Sequence, residues 1–376
     1  MLKKFSVENF KNFSHEIVFD LGNIRNYEFN QECIDLNIVR MAQIYGENAS
    51  GKSNIGLAIF DLVSHLTENR TFEDSYSNYS NAFNNETLTK FNFDFTFSDI
   101  NISYSYGKKD HDNLVYETLK IDEEIVIMND RSDLVSVPFV QLKGAEQLSF
   151  DGLKSHDISI IKYVARNTVL DITDYKVQAF IEFMTFVDKM LYFRPVKDNR
   201  YQGLPARAKN ISSYIIDTGK LDDFESFLHA AGIDCKLDQD EDAGRKIIVF
   251  DFGETKINFT EIASTGTMAL FLLYFWLVRL EEERNPSLVF IDEFDAYYHH
   301  KLSAFVIARL KTMKWLQIIV TTHNTTLMGN DILRPDCNFI LSKNKIRPIF
   351  EVTDKELREA HNIEKMYRAG AFNDDK

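Results

Sequence analysis

The sequence predicts an α/β fold built on a parallel sheet, and three patterns support that class. A buried strand at residues 39–45 leads through a glycine-containing loop into a segment whose apolar residues repeat at helical spacing. The last third of the chain alternates helix-like and strand-like segments, which is typical of a parallel sheet covered by helices. Between these regions, strand-like runs predict a separate antiparallel meander.

Most of the predicted strands fall in the first 150 residues. They are expected at residues 6–10, 16–19, 39–45, 91–97, 102–106, 114–119 and 125–128. Residues 91–97 alternate strictly between apolar and polar side chains, which indicates a sheet with one buried face. The segment 71–89 is rich in asparagine and serine without periodicity, and we expect a loop there.

The centre of the chain, residues 152–234, is predicted to be mainly helical. One apolar helix face is expected to be formed by Val177, Phe180, Ile181, Met184, Val187 and Leu191. Strands are expected at 246–252, 256–259, 288–291 and 317–320, and helices at 268–280 and 301–310. No heptad repeat persists, so no long coiled coil is expected. These patterns predict three units, namely an N-terminal lobe at 1–150, a mainly helical insertion at 151–245 and a C-terminal lobe at 246–376.

Charge and hydropathy exclude several classes of protein. The 376-residue chain has 43 Lys and Arg against 57 Asp and Glu, so its net charge of −14 argues against a chain-wide nucleic-acid binder. Cys33, Cys235 and Cys337 show neither metal nor disulfide spacing, which fits a reducing compartment. The longest apolar run, residues 268–278, is well short of the roughly 20 residues that a membrane helix needs. The start lacks a secretory signal, and we expect a soluble, cytoplasmic protein without a membrane partner.

The loop before the first helix carries the pattern G-x-x-x-x-G-K-S. Its residues are Gly46, Glu47, Asn48, Ala49, Ser50, Gly51, Lys52 and Ser53. In this pattern the loop amides converge on phosphates, the lysine adds a positive charge and the serine hydroxyl is a ligand of Mg²⁺. The loop follows a predicted strand and opens a predicted helix, as the pattern requires. We therefore expect a nucleotide with Mg²⁺ to bind here, with Asn54 in the same set of residues.

A second motif follows the apolar strand at 288–291. That strand ends in two adjacent carboxylates, Asp292 and Glu293. In a nucleotide site, Asp292 is expected to hold Mg²⁺ and Glu293 to orient or deprotonate the attacking water. Two acids can also simply cap a strand, but the phosphate loop upstream favours the catalytic interpretation.

Together these motifs resemble the ABC-type ATPase head, and specifically its SMC/RecF-like branch. The resemblance rests on Glu293 directly after Asp292, on Asp295, and on a second strand that runs into His323. It implies ATP as the nucleotide and a P-loop head with an antiparallel meander lobe and a helical insertion. It also implies that His323 contacts the γ-phosphate and that the loop carrying Asp295 crosses a dimer interface.

Two further segments extend the resemblance. Ser264, Thr265 and Gly266 look like a variant of the family's signature loop, which closes on the nucleotide of a second subunit and so implies at least a homodimer. From these residues alone a simple helix cap is an equal alternative. Lys11 is similar to a basic residue that lies near the nucleotide in this branch. A solvated lysine between two core phenylalanines is an equal alternative for it.

The C-terminal segments 333–336 and 363–370 look like those of stand-alone prokaryotic ATPases of abortive-infection and anti-phage systems, such as PARIS, Septu and AbiL-like ATPase subunits. This resemblance implies a slow, regulatory ATPase that holds or releases a separately encoded effector, such as a nuclease.

Three alternative functions remain besides a regulatory ATPase. A RecF-like DNA-repair ATPase would need a basic surface, and a nucleotide-locked assembly scaffold would bind ATP with little turnover. A self-contained nuclease of the overcoming-lysogenization type would need a longer segment after His323. One local basic patch could serve nucleic acid or an acidic partner, although a solvated loop is the simpler interpretation. It consists of Lys189, Arg194, Lys197, Arg200, Arg207 and Lys209. No glutamine marks a glutamine-loop equivalent within residues 91–119.

Overall fold

Two seven-stranded sheets organise the chain. The computed structural model describes residues 1–69, 73–84, 86–132, 137–150, 158–194, 200–204, 210–296, 300–342 and 345–372. The strands are β1 (Leu2–Glu8), β2 (Ile17–Asp20), β3 (Ile34–Asp35), β4 (Ile38–Val39), β5 (Met41–Tyr45), β6 (Thr89–Phe97), β7 (Ile100–Lys108), β8 (Leu114–Ile121), β9 (Glu124–Asp130), β10 (Phe139–Val140), β11 (Met190–Arg194), β12 (Arg200–Gly203), β13 (Leu237–Asp242), β14 (Arg245–Asp251), β15 (Lys256–Asn258), β16 (Leu288–Ile291), β17 (Gln317–Thr321), β18 (Asn338–Ser342) and β19 (Lys345–Pro348). The helices are α1 (Lys52–Leu66), α2 (Ile160–Asn167), α3 (Tyr175–Asp188), α4 (Ile211–Asp217), α5 (Leu221–Ala230), α6 (Phe259–Ile262), α7 (Thr265–Glu283), α8 (His300–Lys311) and α9 (Ile363–Arg368).

The central sheet is mixed, with the order β12-β11-β16-β17-β5-β18-β19. Its five inner strands run parallel to one another, while β12 and β19 pair antiparallel at the two edges. Strands β5, β16 and β17 are buried along their whole length. This burial explains their nearly continuous apolar sequence, because both faces of a parallel sheet are covered.

The second sheet is antiparallel, with the order β10-β9-β8-β7-β6-β1-β2. Its alternating burial follows the alternating sequence of β6, in which the phenylalanines face inward. The predicted meander is therefore confirmed, and the structure adds β1 and β2 to it. The α/β class is also confirmed.

Helix α1 lies between the two sheets. On one side, Gly56 approaches the central sheet so closely that a Cβ there would lie 2.6 Å from Phe290 and 2.9 Å from Tyr192. Helix α7 covers the opposite face of that sheet, since Phe193 neighbours Trp276 with their ring centroids 6.4 Å apart. Neighbouring residues of a strand point to opposite faces, which places the two helices on either side.

The other side of α1 presents a buried carboxylate to the antiparallel sheet. Asp61 accepts hydrogen bonds from the hydroxyls of Tyr79 (3.0 Å) and Tyr106 (2.9 Å). Its Oδ2 also lies 2.9 Å from the ammonium of Lys108, and both charged side chains are at most 1% exposed. A buried ion pair needs additional hydrogen bonds of this kind to offset the loss of water.

A chain of polar side chains continues from α1 to the start of α2. His65 Nε2 lies 2.9 Å from the hydroxyl of Tyr104, which donates to Glu117 at 3.1 Å. Glu117 also accepts hydrogen bonds from the Ser159 hydroxyl and the Ile160 N–H, both at 2.6 Å. Burial lowers the pKa of His65 well below its usual value and raises that of Glu117.

Several expected elements differ from the structure. The helix predicted to include Leu191 ends at Asp188, and Leu191 lies in β11, where its apolar side chain serves the sheet core. Segment 71–89, expected to be a loop, contains a 3₁₀ turn at Glu73–Tyr76 and buries two tyrosines, Tyr76 and Tyr79. The division into 1–150, 151–245 and 246–376 stays a prediction, although β11 joins the central sheet from within the expected insertion.

The longest helix among the described residues is α7, with 19 residues. No long coiled coil is therefore present in the described ranges. Over those same ranges, no helix has both the length and the apolar character needed to cross a bilayer.

We expect Lys108→Met to destabilise the fold by about 3–5 kcal/mol, because it leaves the carboxylate of Asp61 buried without its counter-ion. The measurement is the free energy of unfolding in urea. Replacing both partners, with Asp61→Asn and Lys108→Met, should recover much of the loss. Lys90→Met is the matched control, since that lysine pairs with Glu8 and Glu86 at the surface, where ion pairs contribute about 0–1 kcal/mol. Equal losses at positions 90 and 108 would contradict a buried pair.

The buried imidazole predicts a dependence of stability on pH. His65 stays neutral in the fold because burial and the nearby Lys108 lower its pKa, whereas the unfolded chain takes up a proton below about pH 6.5. Its contribution is therefore complete above that pH and is lost as the pH falls. The free energy of unfolding between pH 7.5 and 5.5 should decline less steeply in His65→Gln than in the wild type. Glu117 acts with the opposite sign, since its pKa is raised. Parallel curves for variant and wild type would exclude His65 as the source.

Candidate functional site

The ends of four parallel strands form one edge of the central sheet. Strand β17 pairs with β5 on one side and with β16 on the other, and β11 follows β16. Because parallel strands end at the same edge, the loops after them lie side by side. The structure therefore brings together the 46–51 loop, Asp292, Thr321 and Arg194, which are far apart in sequence.

Two glycines make the 46–51 loop possible. A Cβ on Gly46 would lie 2.7 Å from both the Leu341 carbonyl oxygen and the Ser50 hydroxyl. Gly51 has φ of 106°, and a Cβ there would lie 2.6 Å from the side chain of Asn12. The Ser50 hydroxyl is buried and has no hydrogen-bond partner among the described residues. The loop is a narrow cradle at the start of α1, of the kind that receives phosphate groups.

Lys52 is the first residue of α1 and is buried under the loop. Its ammonium donates to the carbonyl oxygens of Gly46 (2.8 Å) and Glu47 (3.0 Å). Burial lowers the pKa of Lys52, and the carboxylates of Glu293 and Asp292 act in the opposite direction. Ser53 follows it in the first turn, half-buried. The lysine charge is thus placed within the loop and faces the two acids.

Asp292 is fully buried at the end of β16. Its Oδ1 accepts a hydrogen bond from the Thr321 hydroxyl at 2.7 Å, and its Oδ2 accepts one from the Tyr192 hydroxyl at 3.2 Å. The Nε of Arg194 lies 3.3 Å from the same Oδ2. A carboxylate held by three neighbours on the two adjacent strands, β11 and β17, has a fixed orientation at this edge of the sheet.

Glu293 follows in a conformation that few residues adopt. Its φ is 49°, in the left-handed region, and its N–H donates to the Thr321 hydroxyl at 2.7 Å. Thr321 therefore accepts from Glu293 and donates to Asp292 with one hydroxyl. Backbone strain of this kind costs about 1–3 kcal/mol and is typical of functional positions.

The turn after β16 and the end of β17 are joined by a second threonine. The Thr322 hydroxyl donates to Asp295 at 2.7 Å and accepts from the Asn324 N–H at 2.9 Å. Burial raises the pKa of Asp295. His323 lies beside them with an exposed ring, and partial burial together with the charge of Lys52 lowers its pKa. A neutral imidazole can donate one hydrogen bond from the site near pH 7.

The N-terminal segment contacts the loop through a residue that the sequence analysis did not select. Asn12 donates to the Ser50 carbonyl oxygen at 3.1 Å and accepts from the Asn54 amide at 2.6 Å. The side chain of the neighbouring Lys11 contacts a different segment. Its ammonium donates hydrogen bonds to the carbonyl oxygens of Ser75 (2.5 Å) and Asn78 (3.1 Å). Burial lowers the pKa of Lys11. Its role near a nucleotide stays a prediction.

Ser264 caps helix α7. Its hydroxyl accepts from the Thr267 N–H at 3.2 Å, which is the simple cap that the sequence also allowed. Ser264 and Thr265 are exposed, and a Cβ on Gly266 would meet only the Ser264 hydroxyl at 3.9 Å. Packing against the described residues therefore does not require glycine at 266.

The residues at this edge fit a magnesium nucleotide. The glycine cradle and the buried lysine suit phosphate, while the Ser53 hydroxyl and the Asp292 carboxylate are oxygen donors that Mg²⁺ prefers. Glu293 and His323 lie next to them. We expect Glu293 to orient or deprotonate the attacking water and His323 to contact the γ-phosphate, as the sequence predicts.

The sequence analysis missed three contributors to this edge. Thr321 and Arg194 carried a weak signal, since one directly follows a predicted strand and the other belongs to the basic patch. Asn12 carried none, because its contact with the loop spans 38 residues of sequence. Of the basic patch, Lys197, Arg207 and Lys209 lie outside the described residues.

One protein-family model matches most of the chain. Residues 41–329 match the family model described as "AAA domain, putative AbiEii toxin, Type IV TA system". Comparison with curated protein sequences gives no match.

Solved structures similar to the chain include SMC heads. The SMC head domain from Thermotoga maritima is 14% identical with a TM-score of 0.42, over 92% of this chain and 97% of that one. An SmcHead bound to the C-winged helix domain of ScpA is 13% identical with a TM-score of 0.45, over 92% and 96%. An Smc head domain with an extended coiled coil, bound to the C-terminal domain of ScpA derived from Pyrococcus furiosus, is 13% identical with a TM-score of 0.44, over 92% and 95%.

We expect Thr321→Val to lower ATP turnover roughly tenfold or more, because it removes the hydroxyl that joins Asp292 to the Glu293 N–H. Thr321→Ser keeps the hydroxyl and is the matched control. Both variants should be compared with the wild type for turnover and for binding of a labelled adenine nucleotide. Equal activity in the valine and serine variants would show that this hydroxyl is not needed.

Proposed function

The chain belongs to the family described as "AAA domain, putative AbiEii toxin, Type IV TA system". On that premise we propose that it is an ATPase head of the ABC/SMC-like kind, which binds and slowly hydrolyses ATP to regulate a separate effector. The reaction is ATP plus water to ADP plus phosphate, with Mg²⁺. The biological setting that we propose is anti-phage defence by abortive infection.

One observation carries the catalytic part of this proposal. Lys52, Asp292 and Glu293 meet at one edge of the central sheet, although about two thirds of the chain separates the first from the other two. Lys52 and the loop amides would bind the phosphates, and Ser53 and Asp292 would hold Mg²⁺, which supplies positive charge to the triphosphate. Glu293 would orient the attacking water, and His323 would donate to the terminal phosphate. Catalysis then depends on positioning and electrostatics, without a covalent intermediate.

We further propose that two copies close around the nucleotide. The exposed Ser264 and Thr265, together with the open space around Gly266, support this assembly, since an exposed helix N-terminus suits an anion from another subunit. Asp295, at the turn after β16, would lie near that interface. ATP binding would then control assembly, because nucleotide contacts on both subunits stabilise the closed state.

The description of the family supports the proposed setting, since it names a putative toxin of a toxin–antitoxin system. A cytoplasmic location and an effector such as a nuclease follow from the resemblance of the sequence to anti-phage ATPase subunits. They are part of the same proposal.

The alternatives differ from this proposal in what they require. A RecF-like DNA-repair ATPase needs a basic surface, yet the chain has a net charge of −14, and Arg194 of the basic patch is directed at Asp292. A nucleotide-locked scaffold needs no attacking water, so the presence of Glu293 beside Asp292 favours turnover.

The decisive experiment is Glu293→Gln, which should lower ATP turnover about 10²–10⁴-fold because it removes the proposed base. ATP binding should persist, and light scattering should show a larger dimer fraction with ATP than in the wild type. The exposed Glu254→Gln is the matched control.

ATP turnover that persists in Glu293→Gln would contradict the assignment of Glu293 as the catalytic base. Wild-type protein that dimerises with ATP but shows no turnover would identify the scaffold. DNA stimulation that persists at physiological salt would identify the repair ATPase.

A further inference from the structure

Arg194 occupies a place next to the predicted magnesium ligand. It ends β11, whose Phe193 pairs with Ile291 of β16, and the Asp292 N–H donates to the Phe193 carbonyl oxygen at 2.9 Å. The two side chains therefore leave neighbouring strands at the same level. This neighbourhood is a consequence of the parallel register, because adjacent parallel strands present successive residues at one edge.

The contact between the two side chains is an ion pair without an aligned hydrogen bond. The Nε of Arg194 lies 3.3 Å from Asp292 Oδ2, but it is buried and has no hydrogen-bond partner among the described residues. By contrast, Arg334 donates to both oxygens of Asp336, at 2.7 Å and 2.8 Å. The guanidinium of Arg194 is thus drawn to Asp292 by charge, while its donors stay available to another acceptor.

Arg194 also faces open space, whereas Asp292 does not. Its side chain is 23% exposed and that of Asp292 is fully buried. Lys52 is committed to the carbonyl oxygens of Gly46 and Glu47, so Arg194 is the cation that touches the carboxylate in the described part of the site. The position therefore combines a partly exposed positive charge with a fully buried negative one.

A metal ion that binds this carboxylate must compete with Arg194. Asp292 Oδ1 already accepts from Thr321, and Oδ2 is the oxygen that Arg194 approaches. Two cations at one carboxylate repel each other strongly in a buried site. A guanidinium displaced from Oδ2 would find its next acceptors among the phosphate oxygens held by the neighbouring loop, and its planar fork suits them.

We propose that Arg194 is an exchangeable counter-ion of the ATP site. It pairs with Asp292 while no divalent cation is bound, and it transfers to the triphosphate when Mg²⁺ takes the carboxylate. The same residue thereby opposes metal binding and supports nucleotide binding. This inference rests on the proposed ATP site. It adds a residue whose ion-pair partner depends on whether Mg²⁺ is bound there.

The test is the binding of fluorescently labelled ATP, titrated with Mg²⁺, for wild type, Arg194→Gln and Arg194→Lys. In Arg194→Gln the Mg²⁺ concentration at half-saturation should fall several-fold, because the competing cation is absent. At saturating Mg²⁺ the affinity for ATP should fall about tenfold, because a phosphate ligand is lost. Arg194→Lys keeps the charge near Asp292, and both changes should be smaller. The exposed Arg358→Gln serves as the control and should behave as the wild type.

The two outcomes separate this inference from the function it rests on. If the wild type binds ATP and Arg194→Gln shows no shift in either quantity, or in only one of them, the exchange is disproved while the ATP site stands. If the wild type binds no ATP at any Mg²⁺ concentration, the exchange and the proposed ATP site are both disproved. Should Arg194→Gln fail to fold, judged by its melting curve, Arg194→Met takes its place, since it also removes the charge: a wild-type Mg²⁺ titration in that variant overturns the proposal.

Discussion

The hydroxyl of Thr321 is the interaction on which the arrangement of the site depends. It donates to Asp292 and accepts from the Glu293 N–H, and so it ties the end of β17 to the turn after β16. The strained φ of Glu293 persists because this bond and the neighbouring strands hold it. The side chain of Thr321 thereby holds Asp292 through its carboxylate oxygen and Glu293 through its backbone N–H.

The position of helix α1 is set by different contacts on its two sides, close apolar packing on one and buried polar contacts on the other. Toward the central sheet it needs the smallest residue, Gly56, since any side chain would strike Phe290. Toward the antiparallel sheet it presents Asp61, whose charge is satisfied by Lys108 and two tyrosines. The first arrangement sets the distance of the helix from the sheet and the second sets its rotation. Both are needed to aim Lys52 at the carboxylates.

The sequence was informative where chemistry and local pattern coincide. The phosphate loop, the acid pair after β16 and the alternation of β6 could be predicted, since each is encoded within about ten residues. Strand β11 was missed because it follows a helix with only one residue between them and its apolar residues also fit a helix face. Strand β13 was missed because the segment carries four acids, and its exposed edge position tolerates them. The contacts of Asn12 and Arg194 could not be predicted, since they depend on which strands become neighbours.

The buried path from Asp61 through His65 and Tyr104 to Glu117 ends at the first N–H of α2. Sliding α1 along the antiparallel sheet would separate Asp61 from Lys108, both of which are buried. Such a step has no low-energy intermediate, because each partner would be left as an isolated charge. We therefore expect the helix that begins with Lys52 to move together with the antiparallel sheet, as one rigid body.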